Sequence, residues 1–106
     1  MPKKHRLSRA DFTALSARSR RISGGLFSLS IAPSPLGTKV ACVVSKKVSP
    51  KAVVRNLVKR RARAILREAL KNFDKPLLLS FHAKTAARDA SYAEIDSDVR
   101  RLLSKV

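Results

Sequence analysis

The chain has 106 residues and a formal charge of +17, with 24 lysines and arginines against 7 acids. That length suits one domain, and an apolar share of 44% supplies a modest core of valine, leucine and isoleucine, since the aromatics are only four Phe and one Tyr. So large a positive excess repels itself and calls for a polyanion partner, while the single cysteine, Cys42, excludes an internal disulfide or a multi-cysteine metal site.

The charge is unevenly placed. Residues 1–71 hold 18 basic and 2 acidic groups, and residues 72–106 hold 6 and 5. No apolar stretch nears the roughly 20 residues that cross a bilayer, and the start, MPKKHRLSR, lacks a secretory apolar region. These absences give the expectation of a cytoplasmic protein with no membrane partner.

Residues 1–6 read as a short basic arm. Ser8 and Asp11 have the spacing of a capping box, and Leu7 and Phe12 that of a staple, so a first helix starts there and fades by residues 18–21. Gly24-Gly25 then marks a turn or a close backbone approach. Residues 26–32 alternate, with Phe27, Leu29 and Ile31 on one face and Ser28 and Ser30 on the other, which predicts a half-buried strand. After the turn at residues 33–37, residues 39–45 contain the continuous apolar run VACVV and read as an interior strand. The turn between the two strands makes them an antiparallel pair.

Ser49-Pro50 predicts a helix start, with serine as cap and proline in the first turn, and nothing breaks the pattern until about residue 72. At about 100° per residue, Lys51, Arg55, Asn56, Lys59, Arg60, Arg63, Arg67 and Lys71 share one broad arc. Val54, Val58, Ala62, Ile65 and Ala69 form the opposite stripe, and Arg61 lies off the arc and covers an edge. Arg55, Lys59, Arg63 and Arg67 repeat every four residues, a spacing at which like charges destabilise a helix by about 0.2–0.5 kcal/mol per pair. A surface that only needed solubility would mix in glutamates, so the ridge reads as a track for phosphates. Asn56 shares that arc, and Lys46 and Lys47 stand before the helix N-terminus, where free N–H groups already favour an anion.

Residues 77–81 (LLLSF) predict another strand, making a strand–helix–strand crossover. Ser91-Tyr92-Ala93-Glu94 reads as a capping box opening a last helix, with Ile95, Val99, Leu102 and Val106 on its docking face. The acids form no obvious metal cage and are expected at helix ends and solvated faces. His5, in the arm, and His82, after the strand, have no ligand or base partners nearby in sequence. No catalytic residue is assigned. Phe12 fits either a core staple or a platform for an unpaired base.

Lys46-Lys47-Val48, Arg55-Asn56 and Val58-Lys59-Arg60, with the early Asp11-Phe12, Ala52-Val53-x-Arg55-Asn56 and Ser91-Tyr92-Ala93-Glu94, resemble the protein component of bacterial ribonuclease P over nearly the whole chain. The chain departs from that family at Leu57, where a second arginine is usual, at Ala64, where an acid is common, and at Ser16 and Ser30, where aromatics are expected. The resemblance implies an α+β fold, a small two-layer αβββαβα domain with a mixed four-stranded sheet, all within a single RNA-binding domain over residues 1–106. It implies partners, ribonuclease P RNA and precursor tRNA, and no obligate protein partner. The implied activity is endonucleolytic 5′ maturation of tRNA by the holoenzyme, with catalysis and the Mg²⁺ carried by the RNA subunit.

On this likeness Lys46, Lys47, Lys51, Arg55, Asn56, Lys59, Arg60, Arg63 and Arg67 face RNA, and Phe12 and Phe27 meet the 5′ leader. The rival reading is a structural RNA-binding protein of the ribosome-associated kind. A free-standing nuclease would need an acid cluster that the sequence does not display.

Overall fold

The structure, a computed structural model, describes residues 20–34 and 37–106. The basic arm, the first helix with its Ser8–Asp11 cap, and Phe12 lie outside these residues. Within them, strands β1 (Arg20–Ser23), β2 (Phe27–Pro33), β3 (Lys39–Val43) and β4 (Leu77–Ala83) form one sheet in the order β1-β2-β4-β3. Helix α1 (Ala52–Ala69) connects β3 to β4, a 3₁₀ turn (Thr85–Asp89) follows β4, and α2 (Tyr92–Ser104) ends the fold. β2 pairs antiparallel with β1 and β4, whereas β3 pairs parallel with β4, so the sheet is mixed.

The antiparallel pairing expected between the strands at residues 26–32 and 39–45 does not form, because β4 lies between them. Central strands are covered on both faces, and the two central strands, β2 and β4, are those with consecutive buried residues, Leu29 to Ala32 and Leu78 to Phe81. The VACVV strand instead alternates buried and half-buried residues, as an edge strand does. β1 was not foreseen. Its sequence, RRIS, has one apolar residue, Ile22, and its strand conformation comes from pairing with β2 rather than from its own pattern.

The core lies between one sheet face and the two helices. Phe27, Leu29, Ile31, Val40, Cys42, Leu79 and Phe81 meet Val58, Ala62, Ile65 and Leu66 of α1 and Ile95, Val99 and Leu102 of α2. Each fully buried side chain of this size stabilises by roughly 1.5–3 kcal/mol relative to exposure. The buried stripe of α1 is turned slightly from the expected one: Leu66 joins it, while Val54 and Ala69 are only half-buried.

The two helices begin differently. α1 starts two residues later than expected, with Lys51 as N-cap and no side-chain cap. Ser49 instead accepts a hydrogen bond from the Lys51 N–H at 3.2 Å, shaping the turn before the helix. α2 has the full capping box: Ser91 Oγ accepts from the Glu94 N–H, and Glu94 Oε1 accepts from the Ser91 N–H at 2.9 Å. The hydrogen bond from the Ser91 N–H, and then the Ser91 hydroxyl beside it, hold the Glu94 carboxyl below its usual 4.5.

Candidate nucleic-acid interface

The α1 stripe sits on the core, so the opposite arc is turned outward. Asn56, Arg60, Arg63 and Arg67 are exposed and Lys59 is half-buried. With Ala64 as floor, these side chains surround an open hollow of about 470 Å³. From Arg55 to Arg67 the ridge runs roughly 18 Å at 1.5 Å per residue. Among the described residues no carboxylate pairs with Lys51, Arg55, Lys59, Arg60, Arg63 or Arg67; the helix ends at Ala69, short of the expected residue 72, and Lys71, in the turn beyond it, meets Glu68 at 3.9 Å, both exposed. The sheet edge lies close by: burial pushes the Cys42 thiol up to about 11, and Arg63 and Lys59 are near enough to pull it the other way.

Two cations have structural attachments. Arg55 Nη1 donates to the Ser49 carbonyl at 2.9 Å, tying the first turn of α1 to the preceding segment. Arg61, off the arc as its spacing indicates, donates from Nη1 to the Ala90 carbonyl at 3.2 Å and joins α1 to the start of α2. Lys46 and Lys47 project from a tight turn closed by the Val48 N–H to Ser45 carbonyl bond, with Val48 buried beneath them. Lys51 is exposed at the helix entry.

The second sheet face corrects one assignment. Phe27 has no exposed surface and meets Phe81 edge-on, with ring centroids 6.5 Å apart and planes at 82°. It is a core residue and presents no ring to a leader. Along β2 the alternate positions face the other way: Ser28 is half-buried, whereas Ser30 and Ala32 are buried together with Leu78 and Ser80 of β4. This face is therefore not open across its middle. β4 extends past the predicted strand end, so His82 belongs to it and stands in register with Ser28 on one side and Val43 on the other. Ser80 Oγ lies 2.9 Å from His82 Nε2. Burial, and then the nearby Arg21, hold the imidazole below its usual 6.5.

A further buried acid escaped the sequence reading, which placed the acids at helix ends and solvated faces. Asp98 is 4% exposed and its carboxylate accepts from the N–H groups of Gly25, Leu26 and Phe27 at 3.0–3.1 Å and from Arg101 at 2.6 Å. A Cβ on Gly24 would stand 2.8 Å from Asp98 Oδ2 and 3.0 Å from the Phe27 carbonyl, so the approach requires glycine there. Lys84 binds the same turn from β4's end, donating to Ser23 Oγ and the Gly24 carbonyl. The available signal was Asp98 lying among Ile95, Val99 and Leu102 on the docking face, 73 residues from the nearer glycine of a Gly-Gly pair.

No three His, Cys, Asp or Glu residues come together among the described residues. The side chains around the α1 hollow are cations and an amide, a donor set opposite to the oxygen ligands that Mg²⁺ takes. The described residues do not fit a magnesium site.

A mixed sheet backed by two helices, one presenting an unneutralised cationic ridge, defines an α+β protein that binds polyanions. A family model described as Ribonuclease P matches residues 1–106. The chain is 34% identical over 105 residues to the ribonuclease P protein component of a Picosynechococcus species, covering 97% of this chain and 90% of that protein. It is 36% identical over 108 residues to that of a Pseudanabaena species, covering 99% and 93%. The RNase P protein of Thermotoga maritima superposes with a TM-score of 0.84 at 20% identity, over 95% of this chain and 96% of that one, and so shares the fold.

The chain belongs to the bacterial ribonuclease P protein family. It is an RNA-binding accessory subunit in tRNA 5′ maturation, and catalysis in the holoenzyme is carried by RNA. Family membership corrects the cytoplasmic assignment: it defines a bacterial RNA-processing role and carries no such compartment. What the described residues show is that no helix is long and apolar enough to cross a membrane.

Proposed function

We propose that the chain acts as one domain over residues 1–106 whose α1 ridge and Lys46-Lys47 turn face ribonuclease P RNA, while the second sheet face receives the 5′ leader of precursor tRNA. The observation that carries this is the hollow ringed by Asn56, Lys59, Arg60, Arg63 and Arg67, whose cations have no carboxylate partner among the described residues. Lys51 and Arg55 extend the cationic row to the helix entry. In a fold where Asp89, Asp96 and Asp98 are engaged by neighbouring arginines, cations left without such partners are available to phosphates.

The protein's contribution is electrostatic and positional. Lysines and arginines displace counterions from crowded RNA phosphates, and a bound substrate held in register reacts as part of one complex instead of by collision. Mg²⁺ supplies charge stabilisation at the cleaved phosphodiester and is held mainly by the RNA subunit. By lowering repulsion between RNA phosphates, the ridge reduces the magnesium concentration needed for an active complex.

Cleavage of precursor tRNA by reconstituted holoenzyme at limiting Mg²⁺ tests this. Lys59→Gln and Arg60→Gln should each raise the magnesium requirement and leave the protein folded. Arg55→Gln should do the same and also loosen the start of α1, because it removes the bond to Ser49. Unchanged cleavage by the Lys59 and Arg60 variants would end the assignment of the ridge to RNA.

A further inference from the structure

The sheet face offered to the leader lacks exposed aromatic rings among the described residues, with Phe27 and Phe81 both in the core. What it carries instead is a polar row. Ser23, Ser28 and His82 are successive register partners across β1, β2 and β4, and Arg21 stands on the same face in the adjoining row, opposite Ser30 and, beyond it, Ser80. Ser80 is 1% exposed, so its hydroxyl has no role toward solvent, and it contacts Nε2 of the half-buried His82 ring at 2.9 Å. One ring nitrogen is thereby fixed by a buried partner and the ring is oriented, leaving Nδ1 and a ring face for a ligand.

We propose that His82, oriented by Ser80 and set beside Arg21, is the side chain with which this sheet contacts an unpaired ribonucleotide of the leader. The proposal rests on the reading that the leader crosses this face. A neutral imidazole stacks on a base and hydrogen-bonds its edge or the ribose hydroxyl, which are the contacts single-stranded RNA offers. Burial first, and then the exposed Arg21 close by, oppose protonation of the ring and favour the neutral imidazole in this contact. The guanidinium of Arg21 takes the adjoining phosphate. The division of labour has a measurable signature: the imidazole contact is insensitive to salt, whereas the phosphate contact follows counterion release.

The test uses holoenzyme reconstituted with ribonuclease P RNA, comparing a precursor tRNA that carries a non-cleavable linkage with mature tRNA. His82→Ala should lower precursor affinity by about three- to tenfold, the worth of one net hydrogen bond, with mature tRNA affinity and the salt slope unchanged. Arg21→Gln should reduce the slope of log affinity against log salt by about 0.7, one single-strand phosphate contact. Ser80→Ala keeps the imidazole but releases it, and should lose part of the same preference for precursor.

Independently of any variant, the ring ¹⁵N signals of His82 in the wild-type protein should shift when a leader oligoribonucleotide is added. Full retention of leader preference by a folded His82→Ala protein, or no ¹⁵N shift, overturns the role of His82 while leaving the leader reading intact. A wild-type holoenzyme that binds precursor and mature tRNA equally would overturn the leader reading itself, and this proposal with it.

Discussion

The two helices bury comparable apolar faces against the same sheet and use their charges in opposite ways. On α2, Arg100 meets Asp96 at 2.7 Å, Arg101 meets Asp98 at 2.6 Å, and a capping box closes the first turn. On α1 there is no side-chain cap, no acid in the first turn, and a row of cations four residues apart without carboxylates among the described residues. Local terms complete α2. α1 relies on the tertiary packing of Val58, Ala62, Ile65 and Leu66 to hold a helix whose surface charges repel one another. The contrast separates charge used to build the fold from charge left over for a partner.

Removing charge from each helix should break this contrast in opposite directions. The largest effect belongs to α1: the triple change Lys59→Gln, Arg60→Gln, Arg63→Gln should lower the salt slope of RNA binding by about 3, one for each lost phosphate contact. Its melting temperature should stay level or rise, since like-charge repulsion is relieved. Fluorescence anisotropy against potassium chloride and thermal melts measure the two quantities.

On α2 the reverse is expected. Asp98→Ala leaves three backbone N–H groups of the β1–β2 turn without their acceptor and should cost about 3 kcal/mol of stability in urea unfolding. The RNA salt slope of the folded fraction should not change. Ser91→Ala removes the α2 cap and should cost about 1 kcal/mol by the same measurement.

The smallest effect concerns His82. Its folded pKa lies below the unfolded value of 6.5, so the unfolded chain binds the proton more readily. The stability from keeping the ring neutral is fully present above pH 6.5 and is lost as pH falls through the folded pKa. Urea midpoints at pH 7.5 and 5.5 should differ, and His82→Gln should narrow that difference.

Much of this was legible in the linear pattern because it depends on neighbours three or four residues away. The α1 ridge and its apolar stripe, the Ser91–Glu94 box, and the strands around residues 27, 39 and 77 all arise from local periodicity. The placement of Arg61 at an edge followed from the same spacing. Ser49 misled because a serine before a proline fits both a helix cap and the turn that precedes one, and here its oxygen meets the Lys51 N–H. Phe27 misled in another way: alternation showed which face it occupies but not which face of the sheet the helices cover.

Periodicity and charge thus sufficed for the class of element, the cationic side of α1 and the expectation of an RNA partner. They could not order the strands, reveal that RRIS is a strand, or join Asp98 to a turn more than seventy residues away. Those features depend on contacts between distant segments, which arise only when β4 enters between β2 and β3 and the helices close over one face. A residue's neighbours along the chain fix its periodicity; its exposure, and therefore its availability to RNA, is decided by what packs against it.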